Sequence, residues 1–342
     1  MLLADVFQNF RQTSLENYQL DPAHYYTLPG LGWDAMLKMG SVHLELLTDL
    51  DMHLMIEAGL RGGISMISKR YAKGNHPDLQ TFQPDNPTSY IMYWDAYNLY
   101  GHAMSLCDFE WMNSQDIEKL DVRSIPADSK TCYILEVDLD YPRELPDSHS
   151  DHPLVPESML ISNDMLSPHS KELRNKLCIK GQPVRKLVPN LNDKTKYVLH
   201  YRNLQFYLSQ GMKLVKIRRV IMFKQSPWLK PYIDFNTQKR KDAKNETEKA
   251  FFKLMNNSCF GRSMMNVRKH VNVELVNPAQ RFRKLCAKPT FEAFKIFNDD
   301  LAAVHLKKPS LFLNQPLIAG FSILEMSKIV MYDFDNNFIK QK

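Results

Sequence analysis

KLMNNSCFG, from Lys253 to Gly261, sits in a stretch of helical period and carries the clearest chemical pattern in the chain. Lys249, Lys253, Asn257 and Gly261 recur every four residues, and a helix returns such positions with a drift of only about 40° per step, so they share one face. That face offers two ammonium groups, an amide and a gap. Ammonium groups neutralise a triphosphate, an amide hydrogen-bonds beside it, and a missing side chain leaves room for a base pair to stack on the backbone. Arg240 and Lys244 repeat the spacing upstream and add a second basic prong if that stretch is helical too. Phe251, Phe252, Leu254 and Met255 lie opposite and read as core. The second pattern is DAYNLYG, from Asp95 to Gly101. A carboxylate at the exit of a strand is held rigidly enough to grip a divalent metal; an aspartate there also reads as an ordinary turn former. Tyr100, five residues on, presents a flat ring beside the same place.

Charge is distributed unevenly around these patterns. From Gly211 to His270 there are fifteen Lys or Arg against four acids, a local balance of +11 that leaves the remainder of this +6 chain at −5. A phosphate-rich partner docks on such a segment, and a solvated lysine-rich helix face is the plainer alternative. Lys130 to Ser170 runs the other way, with eight acids, two bases and prolines at 142, 146, 153, 156 and 168, which predicts a loop-rich insertion or subdomain.

The elements that must position these residues follow from periodicity. Leu2 to Asn17 has helical apolar spacing, and a second helix is expected after a loop around Gly30 to Trp33. The Arg61-Gly62-Gly63 step reads as a turn whose backbone is approached closely, or as an ordinary tight turn. Tyr90 to Trp94, dense in aromatic and branched residues behind the Pro84–Pro87 turn, predicts a strand ending directly on Asp95. Thr131 to Leu139 predicts another strand, and Met212 to Phe223 is strand-rich. A strong helix is predicted from Glu246 to Arg262, capped by Asn245 and closed by Gly261. An amphipathic helix from Ser322 to Lys340 finishes the chain, with Asp333 and Asp335 at its polar end.

The 342 residues allow about two domains at roughly 150 residues each. Apolar residues make up 44% and charged residues 24%, which excludes disordered, collagenous and coiled-coil classes. The five cysteines form no CxxC pair, so neither a disulfide framework nor a zinc ribbon is indicated, and a reducing intracellular compartment fits. No apolar run reaches the roughly 18 residues of a membrane span, and the N-terminus lacks a basic signal-peptide region. His149 and His152, flanking Asp151, read as a solvated loop and not a metal site.

Asp95 to Tyr100 resembles the first catalytic motif of family B DNA polymerases, and Lys253 to Gly261 resembles their KxxxNSxYG motif. The text around them is similar to the protein-primed organellar, viral and large-DNA-transposon branch over nearly the whole chain. The resemblance implies an α+β fold, a partial right-hand polymerase whose palm sheet carries helical fingers, acting in DNA replication by template-directed nucleotidyl transfer. Asp95 would bind two Mg2+ ions, and Tyr100 would exclude a 2′-hydroxyl. Arg240, Lys244, Lys253 and Asn257 would hold a deoxynucleoside triphosphate. Arg61, Gly62 and Gly63 would contact the template as part of a YxGG-type motif, with Phe260 and Gly261 also facing DNA. The implied partners are primer–template DNA, nucleotides and a terminal priming protein, in a soluble intracellular setting with no membrane.

The same resemblance divides the chain into a template-contacting part at 1–88, palm with the first motif at 89–129, an insertion holding priming protein and DNA at 130–200, palm return strands at 201–236, fingers at 237–270 and palm continuation at 271–342. Leu60, Gly101 and Phe260 stand where the motifs have tyrosine, proline and tyrosine. No DTDS string, the family's second metal-binding element, occurs. The exonuclease motifs and thumb are also lacking, so the chain reads as an internal fragment with weak activity alone. The alternative is a non-catalytic DNA-binding remnant.

Overall fold

The computed structural model describes residues 2–40, 44–94, 105–126, 128–179 and 184–341. Helices α1 (Leu2–Tyr18), α2 (Leu28–Gly40) and α3 (Leu50–Gly59) open the chain. Gly30 to Trp33, expected as a loop, lies within the first turns of α2. Strand β1 (Ser105–Trp111) and helix α4 (Ser114–Lys119) lead into β2 (Thr131–Asp140). Next come α5 (Pro146–His149), β3 (Glu157–Leu160), α6 (Pro168–Lys176), β4 (Arg185–Val188), β5 (Lys194–His200), α7 (Tyr201–Ser209) and β6 (Lys213–Ser226).

Strands β1, β6, β2 and β5, in that spatial order, form an antiparallel sheet with Ile134 opposite Ile221 and Leu135 opposite both Val220 and Leu199. Ile134 and Leu135 are consecutive, so they point to opposite faces, and both are fully buried; the sheet is covered on both sides here. The stretch 130–200, expected as one insertion, is therefore not one inserted unit. Its ends, β2 and β5, are strands of the central sheet, and only 141–193 lies outside it, with β3 and β4 paired to each other.

Tyr90–Trp94 is not a strand: among the described residues it has no ladder partner, and its side chains are 56% to 90% exposed. Its composition suits a strand, but a strand exists only where its backbone is paired, and β6 is bonded by β1 and β2 and not by this segment.

The second half contains α8 (Lys230–Lys241), α9 (Glu246–Ser263), β7 (Val271–Val276), α10 (Ala279–Cys286), β8 (Phe291–Asn298), β9 (Leu301–Lys307) and α11 (Leu317–Phe334), the last followed by a π-helical turn at Asp335–Ile339. Strands β7, β9 and β8 make a separate antiparallel sheet with its own small core of Val276, Leu285, Val304 and Leu306. Helices α1, α2, α8 and α9 share a core around Tyr18, Met36, Tyr232, Phe252 and Met255.

Helix α11 joins the helical core to the sheet. Ile323 belongs to the former, whereas Leu317, Ile318, Phe321 and Tyr332 belong to the latter. Expected as an amphipathic helix from Ser322 to Lys340, it begins five residues earlier and is buried along most of its length. Its charges are buried with it: Lys328 Nζ donates to Glu325 Oε1 at 2.7 Å, while the His200 backbone N–H (3.2 Å) and Asn203 Nδ2 (2.8 Å) donate to Glu325 Oε2. Burial pushes the Glu325 carboxyl up, but the Lys328 charge and these hydrogen bonds outweigh it and hold the group below the usual carboxylate range. Among the described residues no helix is long and apolar enough to cross a membrane.

Candidate functional site

Helix α9 is built to hold one face outward. The Asn245 side chain accepts from Glu248 N–H at 2.9 Å, and the Glu248 carboxylate accepts from Lys244 N–H at 3.1 Å, so side chains satisfy donors at the helix start that would otherwise lack partners. The far end runs through Gly261 to Ser263, one residue beyond the expected Arg262. Phe251, Phe252, Met255 and Cys259 are buried against α2 and α8, and the Tyr232 hydroxyl ties the three helices by donating toward Gly32 O (3.4 Å) and Met255 O (3.3 Å).

Two glycine contacts clamp α9 from either side. A Cβ at Gly32 of α2 would stand 2.0 Å from Ser258 Oγ, and one at Gly320 of α11 would stand 2.6 Å from Ser263 Oγ and 2.1 Å from Met264 Cγ. Only glycine permits both crossings.

With that side fixed, Lys253, Asn257 and Gly261 are exposed in a row, about 6 Å apart by helical rise. Lys249 leads the row, with its Nζ held 3.1 Å from Glu246 Oε1. The gap at Gly261 is real: a Cβ there meets nothing within 4 Å. Leu254, assigned to the core from sequence, is 50% exposed instead. Phe260 is half-buried, its ring packed against the helical core and not offered whole to solvent.

The upstream prong divides. Arg240 lies in the last turn of α8, while Lys244 falls in the connection between α8 and α9, so the two do not share one helix face. The domain boundary expected at residue 237 falls inside α8, which begins at Lys230. Asp95 and Tyr100 lie outside the described residues.

Arg61 has a structural engagement that its motif does not suggest. Its guanidinium lies 3.8 Å from the Tyr197 ring centroid, and Nη1 donates to Val198 O at 2.9 Å and Gly59 O at 3.3 Å, which fastens the end of α3 to β5. Gly62 and Gly63 beyond it are exposed, with open space where a side chain would stand.

Much of the basic segment is answered internally. Arg219 pairs with Glu136 at 2.9 Å and Arg218 with Asp138 at 2.7 Å across β6 and β2; Arg268 pairs with Glu57 at 2.9 Å, and Lys230 with Asp234. Sequence held the signal for the strand pairs, because acids alternate along β2 opposite a basic β6, but it required the pairing register.

The histidines also differ from expectation. His149 is buried, with Nδ1 2.8 Å from the Tyr141 hydroxyl, and burial holds its pKa down. His152 stacks on Tyr332 with centroids 4.5 Å apart and has Nδ1 3.0 Å from Asp335 Oδ2. Among the described residues, no group of three or more His, Cys, Asp or Glu side chains converges to hold a metal.

No protein-family model and no curated protein matches the chain. Solved structures with a similar fold include phi29 DNA polymerase in a ternary complex with primer–template DNA and incoming nucleotide (14% identity, TM-score 0.48). That match covers 90% of this chain and 45% of the polymerase. The same polymerase complexed with single-stranded DNA matches at 11% identity and TM-score 0.43, over 90% of this chain and 44% of its own. The chain thus spans less than half the length of these proteins.

Proposed function

We propose that this chain is part of a template-directed DNA polymerase of family B, in the protein-primed branch, and that α9 binds the incoming deoxynucleoside triphosphate. The observation carrying this reading is the outward row of Lys253, Asn257 and Gly261 on a helix whose other side is locked into a core. An ammonium, an amide and bare backbone follow one another along about 12 Å, a length suited to a triphosphate and the base pair beyond it.

In this reading Lys253, with Arg240 and Lys244 at the start of the row, neutralises and orients the phosphates. Asn257 hydrogen-bonds beside them. Gly261 leaves a flat surface for the nascent base pair, and Gly62 and Gly63 present open backbone to the template. Asp95 and Tyr100 are proposed as metal ligand and sugar gate, with two Mg2+ ions as the metals. Since Asp95 lies outside the described residues and no described cluster fits a metal, no step is routed through those ions. Primer–template DNA, nucleotides and a priming protein held by the 141–193 region are the proposed partners.

The test is nucleotide affinity of the full chain, measured with a fluorescent deoxynucleoside triphosphate. Removing one charged hydrogen bond, about 1.5–3 kcal/mol, predicts a loss of roughly 10- to 150-fold for Lys253→Ala. Lys249→Ala should lose much less, because that ammonium is already paired with Glu246. Equal affinity in wild type and Lys253→Ala refutes the assignment. Primer–template binding without any nucleotide affinity would return the binding-only alternative.

A further inference from the structure

Between Arg61 and Asp95 the chain makes an excursion that the nucleotide site does not use. Residues 75–89 form a compact loop closed on itself: Asn75 and Ser89 exchange backbone hydrogen bonds at 2.8 Å. The Asn75 side chain fills the interior, donating to Gln83 O (3.0 Å), Asn86 O (3.2 Å) and Pro87 O (3.2 Å) and accepting from Gln83 N–H (2.9 Å). The chain therefore enters at residues 69–73 and leaves at 90–93 from the two sides of one closed pair.

Both legs are exposed and, among the described residues, lie outside any β-ladder. They carry two kinds of side chain. Lys69, Arg70 and Lys73 are exposed cations, with no ion pair among the described residues, and no acid interrupts the sequence from Ala58 to Pro77. Tyr71, Tyr90 and Tyr93 are 80%, 60% and 90% exposed, an arrangement that the hydrophobic effect disfavours unless something covers the rings. Tyr90 is oriented by His76, stacked on it at 4.6 Å with 17° between the planes, which occupies one ring face and leaves the other open.

We infer that these two legs form a platform for a single DNA strand, with the tyrosines stacking on unpaired bases and the three cations following the phosphates. Three cations on the legs outnumber the two acids of the loop between them, Asp78 and Asp85, and favour a polyanion over an apolar protein segment, while exposed rings select unstacked bases over a duplex, whose bases are already stacked. The residues involved are none of those on α9, and the inference does not depend on nucleotidyl transfer.

The experiment measures binding of the full chain to fluorescent dT20 and to a 20-base-pair blunt duplex by anisotropy across a salt series. Tyr71→Ala should weaken dT20 binding about 5- to 150-fold, the range for loss of one stacked base, while Tyr71→Phe retains it and the duplex is little affected. The triple variant Lys69→Ala, Arg70→Ala, Lys73→Ala should reduce the slope of log affinity against log salt for dT20 by about 2, at roughly 0.7 per phosphate contact. Because all four residues are exposed, thermal melting should match wild type, which separates lost binding from lost folding. Unchanged dT20 affinity would overturn the inference and leave the legs to a protein partner. An equal loss on dT20 and duplex would overturn it too, marking a general polyanion surface. Lys253→Ala, read with the fluorescent nucleotide, tests the nucleotide site separately, so failure of that assignment and failure of this one are told apart.

Discussion

Glu325 and Lys328 should hold α11 in place through charge, and the energetics of that pair can be measured. Their side chains are 2% and 6% exposed and 2.7 Å apart. Glu325→Gln keeps the side-chain volume and an oxygen to accept from His200 N–H and Asn203, but it leaves the Lys328 ammonium buried without its counter-charge. Breaking a buried pair from one side costs about 3–5 kcal/mol. With a urea slope near 3 kcal/mol/M, the upper end for small proteins, the midpoint should fall by more than about 1 M.

Removing both charges has a different effect, because a buried pair replaced by well-packed apolar groups is often neutral: Glu325→Gln with Lys328→Met should recover most of the loss. Urea denaturation of wild type, both single variants and the double, followed by circular dichroism, closes the thermodynamic cycle. The reasoning is refuted if Glu325→Gln costs less than about 1 kcal/mol, or if the double variant loses the sum of the singles.

Three further outcomes are expected. Gly32→Ala places a methyl group 2.0 Å from Ser258 Oγ and should cost about 1–3 kcal/mol of thermal stability, most of it recovered when Ser258→Ala is added. Gly261→Ala meets open space and should gain about 0.5–1 kcal/mol from helix propensity, yet primer extension should fall if a base pair lies against that backbone; a rise in both melting temperature and activity would count against the site. Burial holds His200 down to about 3, so between pH 6.5 and 4.5 the unfolded chain binds a proton that the folded one refuses. Stability should accordingly fall by about 1.4 kcal/mol for each pH unit lost, and His200→Asn, which keeps a helix-capping side chain, should flatten that slope.

Several features of the molecule were legible locally. The helix of α9, its Asn245 cap and the outward row of Lys253, Asn257 and Gly261 follow from a 3.6-residue period and from capping chemistry within four residues of the cap. Strands β2 and β6 were legible because apolar branched residues mark a covered sheet wherever it sits in the chain.

Tertiary structure decided what local pattern leaves open. Tyr90–Trp94 has a strand's composition but pairs with no described strand, because composition does not fix which segment docks on a sheet; β6 is bonded by β1 and β2 instead. Nothing in the local pattern of α11 marks Glu325 and Lys328 as buried; the two cores that close around the helix make them an internal pair. Arg61, which the family resemblance would set beside a template, also holds Tyr197 and Val198, more than a hundred residues away in sequence. Period and propensity act over a few residues, whereas partner choice and desolvation are set by contacts that exist only after the chain has closed on itself.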